Sequence, residues 1–575
     1  MTRGRLLGST LAVILMAGAA GPALAQAANV PASQVPVPDN APPRHAEPRV
    51  ADRKAPALVV TLVVDQLSSN LLNQYRGQLT GGLKTLLEQG LVSANGFQTH
   101  GITVTCAGHS TVLTGAHPTR TGITANDWVD TAAGEKTYCL ASDVNTLAHG
   151  ANTDNGPVGP ERLKVDTLGD WLKAVSPQSR VFAVSGKDRG AINLAGHNSD
   201  GTYWLTDGFG MTTYVKPGQT AEGRLAPIAG FNESLIERFR DGVPQWDYSR
   251  NQCRALESTW EIGDETFNSR LPTGKPGLPY SPLLDELTLD AAIHLLETQK
   301  LGQRGVTDML GVSLSATDLI GHGYGTQGPE MCEQLFRMDA ALGVFLDKLS
   351  KVPGGVILSL TADHGGSDFP ERTAERGFPF AGRLDRTIVP RINAQLKAQF
   401  GLAADPLISS GGGLAVVDGQ RRSLAEPLRS QVVAAAVELL NKEPQIAQAF
   451  DRDDLLKDPI PDSLHPQELS LRERMRLSTT AGRSPDILRP NLPGLTNPSA
   501  VGAALSSHGS PWDYDRGVPI IFWWPESKGE ERFMPLRTID IAPTVANLIG
   551  VKPTNEIDGR CVDLPDFING KCKAD

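Results

Sequence analysis

The sequence predicts an α/β protein whose mostly parallel central sheet is sandwiched by helices, with insertions that form a cap over a functional site at one edge of the sheet. Three observations support this prediction. Several apolar, β-branched runs are continuous, which is typical of strands buried on both faces of a parallel sheet. A polar or charged side chain follows the end of each run, where ligands bind in open α/β sheets. The 575-residue chain also exceeds the usual size of one domain, which indicates insertions or a second lobe.

The N-terminal part of the chain is expected to lie outside the folded domain. Arg3 and Arg5 precede an apolar run that ends in Ala23-Leu24-Ala25, which is the pattern of a signal peptide spanning residues 1–25. The following residues, 26–55, are rich in proline and predict a linker. Because the apolar run is too short to span a bilayer and no later run matches it, we expect a periplasmic or secreted protein with no integral membrane segment after cleavage.

Charge and cysteine content narrow the function classes. The formal net charge of -10 argues against a nucleic-acid scaffold but not against a small anionic substrate, which responds to the local field of a site. Six cysteines in an exported chain allow three disulfides. Connectivity is open except at the C-terminus, where a short crosslink between Cys561 and Cys572 would prevent fraying.

Residues 56–575 are the predicted catalytic domain, and strands are expected in five places within it. The first run ends at Asp65, and the next three end shortly before Lys187, Asp318 and Asp363. Because parallel strands end at the same edge of a sheet, four separate segments are expected to bring polar side chains together. The predicted strands are Leu58–Val64, Val181–Val184, Met309–Leu314, Val356–Leu360 and Val518–Trp524.

Helices and insertions are expected between these strands. Leucines at helical spacing predict the first helix, although Gly81 and Gly82 weaken its middle. Two poorly patterned regions, near 196–280 and 366–500, are interpreted as insertions that cap the site. The predicted helices cover residues 71–90, 105–115 and 538–549.

Two carboxylate and imidazole pairs indicate a metal site. Asp318 and His322 are four residues apart, so on a helix both side chains leave the same face and can bind one cation, although a helix-capping aspartate beside an unrelated histidine is the alternative. Asp363 and His364 are followed by two glycines, which allow the sharp turn that neighbouring ligands need. The alternative there is an aspartate turn with a surface histidine. His508 can complete a three-ligand site.

Thr105 is a candidate nucleophile. It begins the stretch Thr105-Cys106-Ala107-Gly108-His109-Ser110, where a hydroxyl and free backbone N–H groups at the positive end of a helix suit an incoming phosphate. A metal ion beside the hydroxyl lowers its pKa enough to give an alkoxide. The structural alternative is an ordinary threonine cap of the helix.

These residues resemble the alkaline phosphatase superfamily, and within it the bacterial periplasmic alkaline phosphatases that use a threonine nucleophile. The similarity runs from Leu58 to about Ile549. It is carried by Val63-Val64-Asp65-Gln66, the Thr105 stretch, Ala125-Asn126-Asp127-Trp128, Lys187-Asp188-Arg189 and Asp363-His364-Gly365. The resemblance implies one zinc ion bound by Asp318, His322 and His508, and a second bound by Asp65, Asp363, His364 and the Thr105 oxygen.

The resemblance also implies how a substrate binds. Asn126 and the backbone N–H of Cys106 are expected to bind one phosphoryl oxygen, and Lys187 with Arg189 another. Members of the superfamily that cleave diesters lack this lysine and arginine pair. Since a monoester has an additional charged oxygen, the pair favours monoester hydrolysis. The sequence has no Cys-x-Pro-x-Arg motif at Thr105, which argues against a sulfatase.

We therefore expect an exported metal-dependent hydrolase, an alkaline phosphatase that cleaves small-molecule phosphate monoesters through a covalent phosphothreonine at a site with two Zn²⁺ ions. Phosphodiesterase activity is expected only as a secondary activity. The alternative within the superfamily is a nucleotide pyrophosphatase or phosphodiesterase. A different class is an exported zinc- or phosphate-binding protein, although binding alone would not need a nucleophile. Mixed oxygen and nitrogen ligands also suit manganese or cobalt.

Overall fold

The computed structural model describes residues 51–148, 155–206, 210–273, 278–497, 501–502 and 504–572. The predicted signal peptide and most of the predicted linker therefore lie outside the described residues. The end of that linker pairs with the C-terminal segment, because the Arg53 N–H donates to the Asp566 carbonyl at 3.1 Å and the Ile568 N–H donates to the Arg53 carbonyl at 2.8 Å. A search of the described helices finds none with the length and apolar character of a membrane span.

Nine strands of the described residues form a central sheet, and four more form a separate small sheet. The labelled strands are β1 (Leu58–Val64), β2 (Leu91–Ser93), β3 (Asp127–Asp130), β4 (Glu135–Tyr138), β5 (Val181–Ser185), β6 (Gly201–Leu205), β7 (Met211–Thr212), β8 (Asp308–Leu314), β9 (Val356–Thr361), β10 (Leu407–Ser410), β11 (Gly413–Val416), β12 (Phe450–Asp451), β13 (Ile487–Leu488), β14 (Ile520–Trp523) and β15 (Glu530–Arg532). Further short strands are Gly96–Phe97, Thr146–Leu147, Tyr214–Val215, Ser258–Ile262, Glu265–Ser269, Gly382–Arg383, Leu495–Thr496 and Leu536–Arg537.

The strand order of the central sheet is β15-β2-β14-β9-β1-β8-β5-β6-β7. Strands β9, β1, β8, β5 and β6 are all parallel, whereas β14 is antiparallel to β9 and β7 is antiparallel to β6. The predicted α/β fold with a mostly parallel central sheet is therefore confirmed. Because β1 lies between β8 and β9, the ends of these three strands are neighbours at one edge.

The helices cover both faces of this sheet. Those of seven residues or more are α1 (Ser69–Tyr75), α2 (Gly82–Gln89), α3 (Thr105–Val112), α4 (Leu168–Val175), α5 (Asp188–Ala195), α6 (Ala229–Arg238), α7 (Leu283–Thr298), α8 (Ala316–Tyr324), α9 (Pro329–Ser350), α10 (Ile388–Phe400), α11 (Leu428–Leu440), α12 (Leu471–Leu477) and α13 (Ile541–Ile549). Strand β1 shows why its sequence is continuously apolar. Leu58, Val60, Leu62 and Val64 belong to one hydrophobic cluster, and Val59 and Val63 belong to another.

The single helix predicted over residues 71–90 is wrong, because the chain forms α1 and α2 with a break between them. The carboxylate of Asp339 on α9 accepts the N–H of Gly81 at 2.7 Å and that of Leu83 at 2.8 Å, which fixes the start of α2. A Cβ atom on Gly81 would lie 2.3 Å from the Asp339 carbonyl oxygen. Close packing of α2 on α9 therefore breaks a helix that leucine spacing alone predicts. The predicted helix at 105–115 is confirmed as α3, and α13 follows a 3₁₀ turn at Thr538–Asp540.

The two predicted insertions differ in structure. Residues 201–205 and 211–212, inside the first one, form β6 and β7, which lie at one edge of the central sheet. These edge strands are short and lack the long apolar run of the central strands. The second region contains β10 to β13 and α10 to α12, and it has a hydrophobic core of its own. That core includes Ile388, Ile392, Leu396, Leu407, Leu414, Val416, Val432, Val433, Ala436, Leu440 and Ile487.

All six cysteines form disulfides. The predicted pair Cys561–Cys572 is confirmed. The other pairs, which the sequence left open, are Cys106–Cys139 and Cys253–Cys332. The Cys106–Cys139 disulfide lies next to the candidate site residues at the start of α3.

Candidate active site

The carboxyl ends of four parallel strands bring the predicted site residues together. Asp65 follows β1 directly, and Asp363 and His364 follow β9 after one residue. Lys187 follows β5, and Asp318 lies in the first turn of α8, the helix after β8. All five side chains are buried. The predicted meeting of four segments at one sheet edge is therefore observed.

Asp318, His322 and His508 form the first group of predicted ligands. The Asp318 Oδ1 lies 3.3 Å from the His322 Nε2 and 3.3 Å from the His508 Nε2. The stretch from Asp318 to His322 is helical, so both side chains leave one face of α8 as their spacing predicted. His508 comes from a segment far along the chain, and the two imidazole centroids are 5.0 Å apart.

Asp65, Asp363 and His364 form the second group. The His364 Nε2 lies 3.4 Å from the Asp65 Oδ1 and 3.4 Å from the Asp363 Oδ2. The His364 ring also stacks on the His508 ring at a centroid distance of 3.6 Å, so the two groups are in contact. Ligand atoms of Asp318, His364 and His508 lie within 4.8 Å of one another, as do those of Asp65, Asp363 and His364. His364 thus faces both groups.

The ligand atoms that face each other have no hydrogen-bond partners. The Oδ1 atoms of Asp65 and Asp318, the Oδ2 of Asp363 and the Nε2 of His364 are fully buried and unpartnered among the described residues. Burial raises the pKa of Asp65, and the nearby charges of Asp318 and Asp363 raise it further. Unpaired buried acceptors and crowded carboxylates are costly unless a cation binds between them. The donor set therefore fits a bound metal.

The three histidines are oriented by their other ring nitrogen. The Nδ1 atoms of His322, His364 and His508 lie 2.8, 2.9 and 2.8 Å from the carbonyl oxygens of Ser506, Gly365 and Thr103, respectively. Each Nδ1 must carry the proton because a carbonyl only accepts, which leaves the Nε2 lone pair free. This second hydrogen bond is the usual device that fixes a metal-binding imidazole.

Lys187 lies between the two groups. Its Nζ is 2.5 Å from the Oδ2 atoms of both Asp65 and Asp318. Burial alone would lower the pKa of Lys187, but Asp318 and Asp65 outweigh it and raise the pKa above its usual value. In turn, burial favours a higher pKa for Asp318, but Lys187, His322 and His508 hold it well below its usual value. The lysine is therefore positively charged at the centre of the site.

Arg189 differs from the expected geometry. Because Lys187 and Arg189 are two residues apart after a predicted strand, an extended segment would point both side chains the same way. In the structure only Lys187 has an extended backbone, and Arg189 lies in the first turn of α5. Burial would lower the pKa of Arg189, yet Tyr138, Asp188 and the site carboxylates raise it. The Arg189 Nε has no hydrogen-bond partner among the described residues. Lys187 and Arg189 nevertheless both interact electrostatically with Asp65 and Asp318.

Thr105 is the first residue of α3, and Val104 occupies the cap position without a side-chain hydrogen bond. The alternative of a threonine cap therefore does not apply. The Cys106 N–H donates to the Asn126 Oδ1 at 2.8 Å, which brings two of the predicted substrate-binding groups together at the helix N-terminus. The helix packs closely on the second ligand group, because a Cβ on Gly108 would lie 2.0 Å from the Asp363 carbonyl oxygen.

Two residues of the site carried no predicted role. The His109 Nδ1 hydrogen-bonds the Thr105 carbonyl oxygen at 3.0 Å, and it also lies 3.0 Å from the Asp363 Oδ2, so the ring packs between α3 and a predicted ligand without a hydrogen bond to that oxygen. Its position four residues after Thr105 was the available signal. The Asp285 Oδ1 accepts the N–H groups of Ser315 and Ala316 at 2.7 and 2.9 Å and so caps α8. Nothing in the sequence pattern pointed to this contact between distant segments.

A cavity of about 400 Å³ opens beside the site. Its lining includes Val104, Asn126 and His508 and, from the second insertion, residues 409–413 and 489–491.

Comparison with known proteins identifies the family. The sequence pattern of the type I phosphodiesterase / nucleotide pyrophosphatase family matches residues 59–496, which is most of the chain. The chain belongs to this family. The match covers α3 and the ends of β1, β5, β8 and β9, whereas His508 lies beyond it.

Relatives of this family member include proteins named as alkaline phosphatases. The chain is 36% identical over 518 residues to alkaline phosphatase PhoK of Sphingomonas sp., covering 88% of this chain and 91% of PhoK. It is 36% identical over 523 residues to alkaline phosphatase PhoD of Zymomonas mobilis, covering 88% of each. The crystal structure of wild-type alkaline phosphatase PafA is similar with a TM-score of 0.76 at 25% identity, covering 89% of this chain and 99% of PafA. The predicted superfamily and its α/β fold are therefore confirmed.

Proposed function

We propose that this chain is an exported alkaline phosphatase that hydrolyses small-molecule phosphate monoesters at a site for two divalent metal ions. The observation that carries the proposal is the set of buried, unpartnered ligand atoms of Asp65, Asp318, Asp363 and His364 beside the N-terminus of α3. Relatives named alkaline phosphatases support the same reaction.

The proposed metal ions are zinc. One would be bound by Asp318, His322 and His508, and the other by Asp65, Asp363, His364 and the Thr105 oxygen. Imidazole nitrogens with carboxylate oxygens are common zinc ligands. Two bound zinc ions supply charge that lowers the pKa of a hydroxyl and stabilises the attacking and departing oxygens of a phosphoryl transfer.

Thr105 is the proposed nucleophile. Its hydroxyl loses a proton and its oxygen forms a bond to phosphorus in line with the bond to the alcohol, which breaks as the alcohol oxygen gains a proton. Water then hydrolyses the resulting phosphothreonine and regenerates Thr105. The Cys106 N–H and the Asn126 amide N–H groups bind one phosphoryl oxygen in this proposal. The Cys106 N–H donates to the Asn126 Oδ1 at 2.8 Å, so it exchanges this hydrogen bond for the phosphoryl oxygen when substrate binds.

Lys187 and Arg189 are proposed to bind the remaining charged oxygens of a monoester. Support comes from the positive charge that Asp65 and Asp318 stabilise on Lys187 and from the unpartnered Nε of Arg189. A monoester has one more charged oxygen than a diester, so two cations favour the monoester. When substrate binds, the Lys187 ammonium exchanges a carboxylate contact for a phosphoryl oxygen.

A second candidate is a nucleotide pyrophosphatase or phosphodiesterase. The family to which the chain belongs favours it, since that family is described by those two activities. The two candidates differ in the preferred ester, so the ratio of kcat/KM for an aryl phosphate and for the matching bis-aryl phosphate separates them.

Export to the periplasm or the medium is part of the proposal. The three disulfides use all six cysteines, which suits an oxidising compartment. The signal peptide predicted over residues 1–25 provides the route.

The Thr105→Ala variant tests the covalent mechanism. We expect it to keep its zinc content by elemental analysis but to lose kcat/KM for 4-nitrophenyl phosphate by roughly 1,000-fold or more, because no nucleophile remains. Thr105→Ser should retain turnover, and Thr220→Ala, at an exposed helix cap, should behave as wild type. Chelation should abolish wild-type activity and zinc should restore it. Turnover at the wild-type level in Thr105→Ala would exclude the phosphothreonine. If the wild type itself bound zinc without hydrolysing any ester, the chain would be a binding protein.

A further inference from the structure

The cavity beside the site contains an arginine with no role in the proposed reaction. Arg489 lines the part of the cavity that the second insertion forms, and Asn126 and His508 line the part nearest the catalytic groups. Arg489 follows β13 directly, and β13 pairs with both β11 and β12. The Ala447 N–H donates to the Pro490 carbonyl at 3.0 Å, so the backbone beside Arg489 is fixed on both sides.

The guanidinium of Arg489 lacks an anionic partner. Its Nη1 lies 3.4 Å from the Asn491 Oδ1, its Nε has no hydrogen-bond partner, and no carboxylate of the described residues lies within 4.0 Å. Arg391, on α10 of the same insertion, is exposed and yet pairs with Asp385 at 2.8 Å and Glu443 at 2.9 Å. The partly buried arginine is thus unpaired, whereas the exposed one has two partners.

An unpaired, partly buried cation is costly for the folded protein. Burial lowers the pKa of Arg489, yet a guanidinium keeps its charge at any pH at which proteins are stable. An anion that binds to the guanidinium offsets the cost of removing part of that charge from water. Since no described carboxylate pairs with Arg489, a molecule that enters the cavity would supply this anion.

Two carboxylates also line the cavity, and neither pairs with Arg489. Asp127 pairs with Lys136 at 3.1 Å. The Asp515 Oδ2 accepts the N–H and the hydroxyl of Ser510 at 2.8 and 2.6 Å. Neither is within ion-pair distance of Arg489. Arg489 is therefore a cation of the cavity lining that no described carboxylate neutralises.

We infer that Arg489 and Asn491 form a leaving-group subsite that binds a second anionic group, a carboxylate or a phosphate, on the alcohol portion of a phosphate monoester. The inference rests on the proposed function, because it assigns the substrate class of that site. Esters whose alcohol carries its own negative charge would then be preferred over neutral esters of the same shape. Guanidinium groups bind both kinds of anion through paired N–H donors, so the two sources must be separated by experiment.

Matched aryl phosphates test this inference on the full-length, zinc-loaded enzyme. The charged esters are 4-(carboxymethyl)phenyl phosphate and 4-(phosphonomethyl)phenyl phosphate, and the neutral reference is 4-(carbamoylmethyl)phenyl phosphate. We expect the wild type to show a kcat/KM about tenfold higher for at least one charged ester than for the neutral one, because a charge-assisted hydrogen bond forms with Arg489. The ester that shows the preference identifies the anion as carboxylate or phosphate.

Arginine variants test whether Arg489 causes the preference for charged esters. In Arg489→Gln the ratio of charged to neutral kcat/KM should fall to about one, and Arg489→Lys should restore part of it. Arg391→Gln, which removes an arginine of the same insertion outside the cavity, should keep the wild-type ratio. Equal kcat/KM for charged and neutral esters in the wild type, or a preference that persists in Arg489→Gln, would overturn the inference alone. Absence of turnover for all three esters would instead overturn the proposed phosphatase function.

Discussion

Lys187 shows at the scale of single residues how the site balances charge. Asp65, Asp318 and Asp363 come from three strand ends and are fully buried, and the Lys187 ammonium contacts two of them. Without compensation, such a cluster would protonate or destabilise the fold. Lys187 therefore serves the folded protein as well as the proposed reaction, and its substitution has to be interpreted with both effects in mind.

The double substitution Lys187→Ala with Arg189→Ala should reduce monoester hydrolysis more than diester hydrolysis. The reason is that a monoester has an additional charged oxygen, and each lost charge-assisted contact costs about 10-fold to 100-fold in kcat/KM. The measurement is the ratio of kcat/KM for 4-nitrophenyl phosphate and bis(4-nitrophenyl) phosphate. Lys442→Ala, which removes an exposed lysine paired with Glu438, is the control. Equal losses for both esters would mean that the pair binds no monoester-specific oxygen.

Residues next to strand ends were predictable from sequence, and residues that act across the fold were not. Asp65, Asp363 and His364 follow apolar runs. Because parallel strands end at the same edge of a sheet, the position of these residues at that edge could be predicted. Asp285 and Arg489 follow no such pattern, because their importance depends on which distant segment they meet. Only the tertiary contacts show that Asp285 caps α8 and that Arg489 has no anionic partner among the described residues.

At the scale of elements, the disulfide Cys106–Cys139 joins the proposed nucleophile's helix to the segment that contains Asn126. Cys139 follows β4, and its N–H donates to the Asn126 carbonyl at 2.9 Å. The crosslink and this hydrogen bond therefore hold the N-terminus of α3 against the β3–β4 hairpin.

Replacing both cysteines, Cys106→Ala with Cys139→Ala, should lower kcat/KM for a monoester by about 3-fold to 10-fold, because small displacements of oxyanion-binding groups weaken transition-state contacts. The matched control is Cys561→Ala with Cys572→Ala, which removes a crosslink at the C-terminus. That pair should lower the apparent Tm without changing kcat/KM. Identical kcat/KM changes in the two double variants would contradict a local role for Cys106–Cys139.

Helix boundaries were less predictable than strands. The strands of the parallel sheet are buried on both faces, so their apolar sequence has one structural explanation. The break between α1 and α2 arises from the contact of Gly81 with Asp339 on α9, which is remote in sequence. Local leucine spacing contains no information about that neighbour.

At the scale of the whole molecule, His117 connects the central domain to the second insertion. Its Nδ1 lies 2.9 Å from the Thr99 Oγ1, and its Nε2 lies 3.1 Å from the Ser463 Oγ of the insertion. Burial, and then the charges of Arg537 and Arg120, lower the pKa of His117 to about 3. The folded protein therefore keeps this ring neutral under conditions in which an unfolded chain binds a proton.

This shift predicts a loss of stability in mild acid. The contribution of neutral His117 is complete above pH 6.5 and decreases as the pH falls toward 3, by about 2 kcal/mol at pH 5. His117→Gln should therefore show a smaller difference in apparent Tm between pH 8 and pH 5 than the wild type. His465→Gln, at an exposed position of the same insertion, should show the wild-type difference. An unchanged pH difference in His117→Gln would exclude this residue as a source of acid sensitivity.

The position of β1 between β8 and β9 has a consequence for biosynthesis. The strand that ends at Asp65 is made first, but both of its hydrogen-bonded neighbours are made hundreds of residues later, and His508 is added later still. A nascent chain therefore cannot complete the middle of its sheet until residue 361 has left the ribosome, and the predicted ligands cannot all converge until His508 has been added. Such non-local pairing makes folding slow. Slow folding suits the proposed export, because the chain would cross the membrane before its predicted metal site forms.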